Sequence, residues 1–408
     1  MRPETARIPQ IVARKTTVII LILFSCIVLL KFIHKISDPH YIDGNLVGLG
    51  LNYIQFGAVR RGLAGSLLYL SGVNLVAGAR LVYWISYILF ISLAYLILKR
   101  MTAVARFFVP FLIILGALLL FWSTDIGRTD MLVAAILAGA ALAAIDGRII
   151  TASVCVGAGY TLHEAVAIYG LPLLFAILLD EDRHKNVRLS SAAIGGAIIV
   201  VSFVAGTLII PLLPHSDPKT IVQTIKSELP SSSLNEWTDR SFFFLLTGAR
   251  GVRLVQCAIQ HSVHYFLHPF VAIFMIGLTT FSLSGLRPLR WTAPAVASVP
   301  PMLFLWLVAS DMSRWTAFSI LNVWIVCAAR SRVPADNGSG WPLARAASAV
   351  AVVILLYPST VRVFPAHGFP SPLIERAVES ILGPAQVRNF DDCDPTWRSV
   401  LTGTDDDH

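Results

Sequence analysis

Charge is what this 408-residue sequence has least of. Lys, Arg, Asp and Glu together make up 14% of it, against about 25% in soluble globular chains, while apolar residues reach 56%. A soluble enzyme of ordinary composition is therefore excluded. Cysteine is scarce too. Cys26, Cys155, Cys257, Cys327 and Cys393 show no metal-ligand spacing, which excludes a zinc-stapled module. Cys26, Cys155 and Cys327 lie in apolar runs and read as small core residues; Cys257 and Cys393 share a predicted side, where a disulfide is one open pairing. No internal repeat is present, so the symmetry common among secondary transporters is missing. The apolar runs do not alternate with polar residues, which excludes an outer-membrane barrel. The net charge of +8 comes from Lys and Arg scattered at the ends of apolar runs. They form no stripe, so no nucleic-acid partner is expected.

What the sequence does have is a series of runs near the roughly 20 apolar residues needed to cross a bilayer. Eleven spans are predicted, at 16–34, 79–98, 106–122, 130–145, 149–161, 164–179, 190–213, 262–285, 292–309, 316–330 and 345–358. The expected fold is thus all-α, a polytopic membrane helical bundle of about 11 spans with an outward-facing cavity. The basic start Met1–Lys15 runs into the first span without a small-residue cleavage site and reads as an uncleaved first helix. With a cytoplasmic N-terminus, the inner side receives Arg14-Lys15, Lys99-Arg100 with Arg106, Arg148, Arg183-His184-Lys185 with Arg188, Arg287 with Arg290, and Arg330 with Arg332. That is the positive-inside pattern at every inner loop, as expected of a bacterial inner (plasma) membrane protein. Gly62–Gly78 is apolar but glycine-rich, and reads as an outer amphipathic or re-entrant segment. The run 149–179 would be about 46 Å long as a single helix, so two short spans broken near Thr161-Leu162-His163-Glu164 are preferred. The body is 1–358, with outer loops 35–78 and 214–261; residues 359–408 form a polar outer tail ending in Asp405-Asp406-Asp407.

The few charges between the spans collect in five clusters on the predicted outer side. They are Asp43 with Arg60-Arg61, Asp125-Ile126-Gly127-Arg128-Thr129-Asp130, His163-Glu164, Asp239-Arg240, and Asp311-Met312-Ser313-Arg314-Trp315. An ionisable group at the centre of a membrane helix costs about 2.5–3.5 kcal/mol on insertion scales, and such groups usually mark function. Each cluster also has a plainer reading. Asp43-Gly44 is a common turn pair. Arg60-Arg61 is a headgroup anchor, though anchors of that kind belong mostly on the cytoplasmic side. Thr129 or Asp130 is a helix N-cap, and Trp315 belongs to an interfacial aromatic belt. Asp311 and Arg314 stand at i, i+3 and share a helix face. His163-Glu164 lacks the His-x-x-x-His spacing of a zinc protease, yet supplies a general base or one ligand of a divalent ion. The arginines are well suited to bidentate phosphate binding. Asp239-Arg240, in a long loop, is the weakest signal.

Asp43 after the first span, the Arg60-Arg61 pair that follows and the outer acid–base clusters together resemble the GT-C class of integral-membrane glycosyltransferases. The likeness is one of architecture across the body of the chain. That class often carries an acidic pair in the first outer loop, where Asp43 has no adjacent acid. The resemblance implies a sugar transferred at the outer face from a polyprenyl-phosphate donor to a glycan or lipid acceptor, with membrane lipid as the medium. It implies catalytic roles for Asp43, then Glu164 and Asp130. Arg60, Arg61, Arg128, His163 and Arg314 would bind the phosphate, with Asp125 and Asp311 as further candidates. These residues point to no particular cofactor and leave a divalent cation open. Two competing readings remain: an O-antigen-type polymerase or ligase using similar substrates, and a lipid-linked sugar transporter or flippase. An acyltransferase using His163 as base lacks a recognisable motif.

Overall fold

The computed structural model describes residues 46–59, 61–101, 109–122, 129–179, 189–209, 212–229, 263–284, 291–308, 312–330 and 342–356, with Leu30, Ser231, Leu234, Phe242, Leu246, Ser380 and Ile381. Among these residues the protein is all-helical and contains no strand, only one isolated bridge between Gly57 and His215. Three short helices come first: α1 (Val47–Gly50), α2 (Tyr53–Phe56) and α3 (Gly62–Ser71). The bundle follows with α4 (Leu75–Lys99), α5 (Val109–Trp122), α6 (Asp130–Ile145), α7 (Ile149–Gly159), α8 (Ala165–Leu178) and α9 (Leu189–Val204), which ends in a π-helical turn, Ala205–Ile209. After α10 (Pro218–Glu228) come α11 (Val263–Ser284), α12 (Thr292–Val308), α13 (Met312–Arg330) and α14 (Pro342–Leu356). Ten of the eleven predicted segments coincide with helices, and the first, 16–34, lies outside the described residues except for Leu30. Among the described residues, three stretches are long and apolar enough to cross a membrane: Leu75–Lys99, Ser190–Ile209 and Leu267–Ser284.

Helix α13 forms the centre. Phe318, Leu321, Trp324 and Ile325 are fully buried, and so are Thr316, Ser319 and Asn322. It packs against α4, α5, α6, α8, α11 and α12. Burial on every side explains why this helix carries no clean apolar stripe. Its polar residues mend breaks in their neighbours. Pro301 lies inside α12 and has no N–H for the carbonyl of Ala297, four residues back. Asn322 Nδ2 donates to that carbonyl at 2.7 Å and to Tyr169 O of α8 at 3.1 Å. Ser319 Oγ donates to Ser298 O at 3.2 Å. Small residues govern α6, where Ala134, Ala135, Ala138 and Ala141 are fully buried. They let α4, α7 and α8 approach closely.

The run 149–179 is two helices, broken at residues 160–164 as expected. A Cβ at Gly159 would stand 2.6 Å from Val166 Cγ1, and one at Gly170 2.6 Å from Val156 Cγ1. Both glycines are needed for α7 to fold back on α8. Gly62–Gly78 is also resolved. Helix α3 has 10 residues, or roughly 15 Å, half the hydrocarbon thickness of about 30 Å. Asn74 then caps α4 by accepting from Ala77 N–H at 2.8 Å.

Two sequence expectations need correction. The region 214–261 is not loop throughout, because Pro218–Glu228 forms the amphipathic helix α10, N-capped by Asp217. Its Ile221, Val222 and Ile225 join Leu46, Val47, Leu49, Leu51, Phe56 and Leu68 in a second, smaller core. Helices α1, α2, α3 and α10 therefore make a cap. A Cβ at Gly65 would fall 1.9 Å from Leu51 O, a measure of how tightly α3 sits on this segment. Ala58 N–H donates to Pro214 O, and Ser216 N–H to Phe56 O at 2.9 Å, which ties the two parts of the cap together. Cys155, expected in the core, is exposed on the outer surface of α7, whereas Cys327 is buried as expected. The helix period simply turns position 155 away from α6 and α8. Cys26, Cys257 and Cys393 lie outside the described residues.

Candidate functional site

Four of the charged residues singled out in the sequence meet at one end of the bundle, and each sits at the start of a helix. Asp130 opens α6, Glu164 is the N-cap residue of α8, Arg61 is that of α3, and Arg314 lies in the first turn of α13. They form two bidentate pairs. Arg61 Nε donates to Glu164 Oε2 at 2.8 Å, and Arg61 Nη2 to Glu164 Oε1 at 2.6 Å. Arg314 Nε donates to Asp130 Oδ2 at 2.7 Å, and its Nη2 to Asp130 Oδ1. These are the parallel fork contacts that guanidinium makes with carboxylate or phosphate.

The two pairs differ in environment. Asp130 is 1% exposed and Arg314 14%. The guanidinium of Arg314 also lies 5.0 Å from the centre of the Trp315 ring, a cation–π contact. Arg61 and Glu164 keep 24% and 16% exposure. Arg61 is strained as well: its φ of 61° is the only positive value at a non-glycine residue among those described. A left-handed conformation costs an L-residue about 1–2 kcal/mol. The glycine that would relieve this falls one position later. Gly62 is needed there because a Cβ would meet the Tyr53 ring at 2.6 Å. Burial raises the Tyr53 phenol above its ordinary value, partly offset by a hydrogen bond with the Gly62 backbone.

His163 and Trp315 bridge the pairs. The His163 ring is buried, its centre 6.3 Å from that of Trp315 in an edge-on arrangement. Ala165 N–H donates to His163 Nδ1 at 3.1 Å. Nδ1 is therefore an acceptor, the neutral ring carries its proton on Nε2, and Nδ1 lies 3.7 Å from Glu164 Oε2 without donating to it. Tyr169 braces the far side, its hydroxyl donating to Trp315 O at 2.7 Å. Through that bond, and through Asn322 on its own carbonyl, Tyr169 holds the start of α8 in register with the start of α13.

Of the sequence-derived candidates, Arg61, Asp130, His163, Glu164 and Arg314 are thus brought together. Asp43, Arg60, Asp125, Arg128, Asp239, Arg240 and Asp311 lie outside the described residues. Arg314 takes Asp130, 184 positions away, as its partner. Thr129 precedes α6 without a side-chain cap. Trp315, read as a belt residue, is 5% exposed and internal. Tyr169 and Asn322 escaped the sequence reading. Asn322 had a usable signal, since an amide in the middle of an apolar span needs partners inside the bundle. Among the described residues, no three His, Cys, Asp or Glu side chains come together as a metal site.

The opposite end of the bundle uses charge differently. Arg100 and Asp146, each just past a helix end, pair at 2.6 and 2.8 Å. Arg345 donates to Ser282 O and Leu283 O at the end of α11, and Arg330 to Leu179 O at the end of α8. These arginines satisfy the terminal carbonyls that helices leave open.

Fold and site together define a membrane-type helical bundle with a small helical cap and a paired arginine–carboxylate cluster at one end. No protein-family model matches the chain, and neither characterised proteins nor solved structures show a significant similarity to it.

Proposed function

We propose that this protein is a membrane glycosyltransferase of the GT-C kind, moving a sugar from a polyprenyl-phosphate donor to a cell-envelope glycan or lipid acceptor. In this reading the chain crosses a bacterial inner membrane about eleven times, N-terminus inside, and the Arg61–Glu164 and Arg314–Asp130 end faces outward. The observation that carries it is the meeting of two arginines, two carboxylates and a neutral histidine where four helices begin. A lipid-phosphate leaving group gains negative charge as its glycosidic bond breaks, and fixed guanidinium groups stabilise that charge. A carboxylate near the acceptor hydroxyl serves as general base. Asp43 is the first candidate for that role, with Glu164 and Asp130 behind it. Arg60 and Arg128 would join Arg61 and Arg314 around the phosphate. Trp315 lies against the Arg314 guanidinium, which Asp130 holds in place.

Sidedness is tested by thiol labelling in intact cells, in an otherwise cysteine-free chain. Ser71→Cys, at the end of α3, is expected to label from outside, and Arg148→Cys only after permeabilisation. Both positions are exposed. The reverse pattern removes the outward site. Activity is tested by reconstituting the protein in liposomes with a panel of polyprenyl-phosphate sugars and following release of polyprenyl phosphate. Asp43→Asn is expected to fold and to abolish transfer; full activity in that variant removes Asp43 from the role. A ladder of products would identify a polymerase instead of a single-sugar transferase. Lateral binding of the donor without turnover would identify a transporter.

A further inference from the structure

We propose that the Arg61–Glu164 pair is an anion site occupied from within. Glu164 stands on the guanidinium edge that a phosphate ester takes when it binds, and phosphate binding releases the carboxylate from that edge. The idea rests on the transferase reading for what carries the phosphate, and on geometry for the exchange itself.

Carboxylate and phosphate compete for one feature of Arg61, the Nε–Nη2 fork, which Glu164 now fills with both oxygens. The neighbouring fork on Arg314 is not open to exchange in this way. Its carboxylate is 1% exposed, and its guanidinium lies against the Trp315 ring. The Arg61 fork is the accessible one, with both partners reachable from outside the bundle. The two members also belong to different bodies. Arg61 comes from the cap, one residue before α3, while Glu164 begins α8 in the main core. Backbone strain of the kind Arg61 carries is held by its surroundings and collects at ligand clamps and switches. Glu164 is not left stranded when Arg61 turns away. It stays at the start of α8, whose backbone N–H groups favour a negative charge.

The exchange links donor binding to base release. The phosphate takes Arg61, and Glu164 gives up that partner. Where Glu164, the second candidate, is the base in place of Asp43, an acceptor hydroxyl then gives its proton to Glu164 as its oxygen bonds to the anomeric carbon. The bond from that carbon to the phosphate oxygen breaks, and the oxygen keeps both electrons on Arg61. Without donor, Glu164 stays paired with Arg61.

The test measures affinity of the purified full-length protein in nanodiscs for farnesyl monophosphate and for inorganic phosphate. Glu164→Gln is expected to bind farnesyl monophosphate about tenfold more tightly than wild type, equivalent to about 1.4 kcal/mol. Arg61→Gln is expected to bind it at least tenfold more weakly. Asp146→Asn removes an acid from the arginine pair at the other end and controls for overall charge; its affinity should not rise. An equal gain for inorganic phosphate identifies the free anion as the ligand, and a gain confined to farnesyl monophosphate identifies a lipid-borne one. Either supports the exchange. Unchanged or weaker binding by Glu164→Gln, or an equal gain in Asp146→Asn, overturns it. If Glu164→Gln loses its folding transition, Glu164→Asp keeps the charge but shortens the reach, and a two- to threefold gain is expected from it. Tighter binding alongside a wild type that transfers no sugar leaves the exchange standing and removes the transferase. Transfer without tightening does the reverse.

Discussion

Removing either member of the Asp130–Arg314 pair should cost more stability than other single changes at the site. The carboxylate is 1% exposed, and its partner Arg314 14%. In Asp130→Ala the guanidinium keeps its Trp315 contact and loses both carboxylate bonds, with little water to replace them. Breaking a buried pair from one side typically costs about 3–5 kcal/mol, because the remaining charge is uncompensated. Arg314→Met should cost a similar amount by stranding Asp130. The double variant removes both charges and leaves only packing differences, so it should fall well short of the sum, with a coupling energy of roughly 1.5–3 kcal/mol. Equilibrium unfolding in mixed micelles titrated with SDS reads all four corners of the cycle. Single variants that each lose less than about 1 kcal/mol and add within 0.5 kcal/mol would show that the pair is solvated, and the argument from burial would then be wrong.

At the far end, Arg100→Ala should lose no more than about 1 kcal/mol in the same titration, since both it and Asp146 are well exposed to screening; a loss near that of Asp130→Ala would contradict this. Asn322→Leu deprives two buried carbonyls of their donor and should cost about 2–4 kcal/mol, with faster amide exchange in α12 on the N-terminal side of Pro301. Gly206→Ala should destabilise the π-helical end of α9, because its Cβ would fall 1.8 Å from Tyr160 Cε1. Tyr160→Ala in the same chain should recover part of the loss, and a failure to do so would place the strain elsewhere.

Helix positions were legible because hydrophobic length and basic loops are local signals. The break at 160–164 was legible for the same reason: a 31-residue run is too long, and His163-Glu164 interrupts it. The cap was not. Helix α10 has a mixed sequence that gains an apolar face only against Leu46–Leu51, more than 160 residues earlier, and no local pattern announces that partner. Pairing was equally hidden. Asp311 and Arg314 are the neighbours a sequence offers, yet Arg314 meets Asp130 because α13 lies at the centre beside α6. Cys155 shows the limit of apolar content as a guide in a membrane chain. An apolar residue faces the core in water, but in lipid the outward face is apolar as well, so burial cannot be read from hydropathy alone.

The placement of the arginines is the strongest reason to look for an anion. A helix start carries partial positive charge, so an acid there is favourable and a base is not. Asp130 and Glu164 follow that rule. Arg61 and Arg314 break it, each beginning a helix at the same end of the bundle where the acids already satisfy the dipoles. At the far end Arg330, in the last turn of α13, donates to the Leu179 carbonyl at the end of α8, where the helix dipole favours a base. Stability alone therefore favours an apolar residue at 314, since a buried pair often stabilises less than the packing it replaces. Position 61 adds left-handed strain to this cost. Two such departures at one end, linked through His163 and Trp315, are what a chain shaped for a negatively charged ligand would carry, and the two forks divide the work. The sealed one at Arg314 fixes the geometry, and the accessible one at Arg61 is free to change partners.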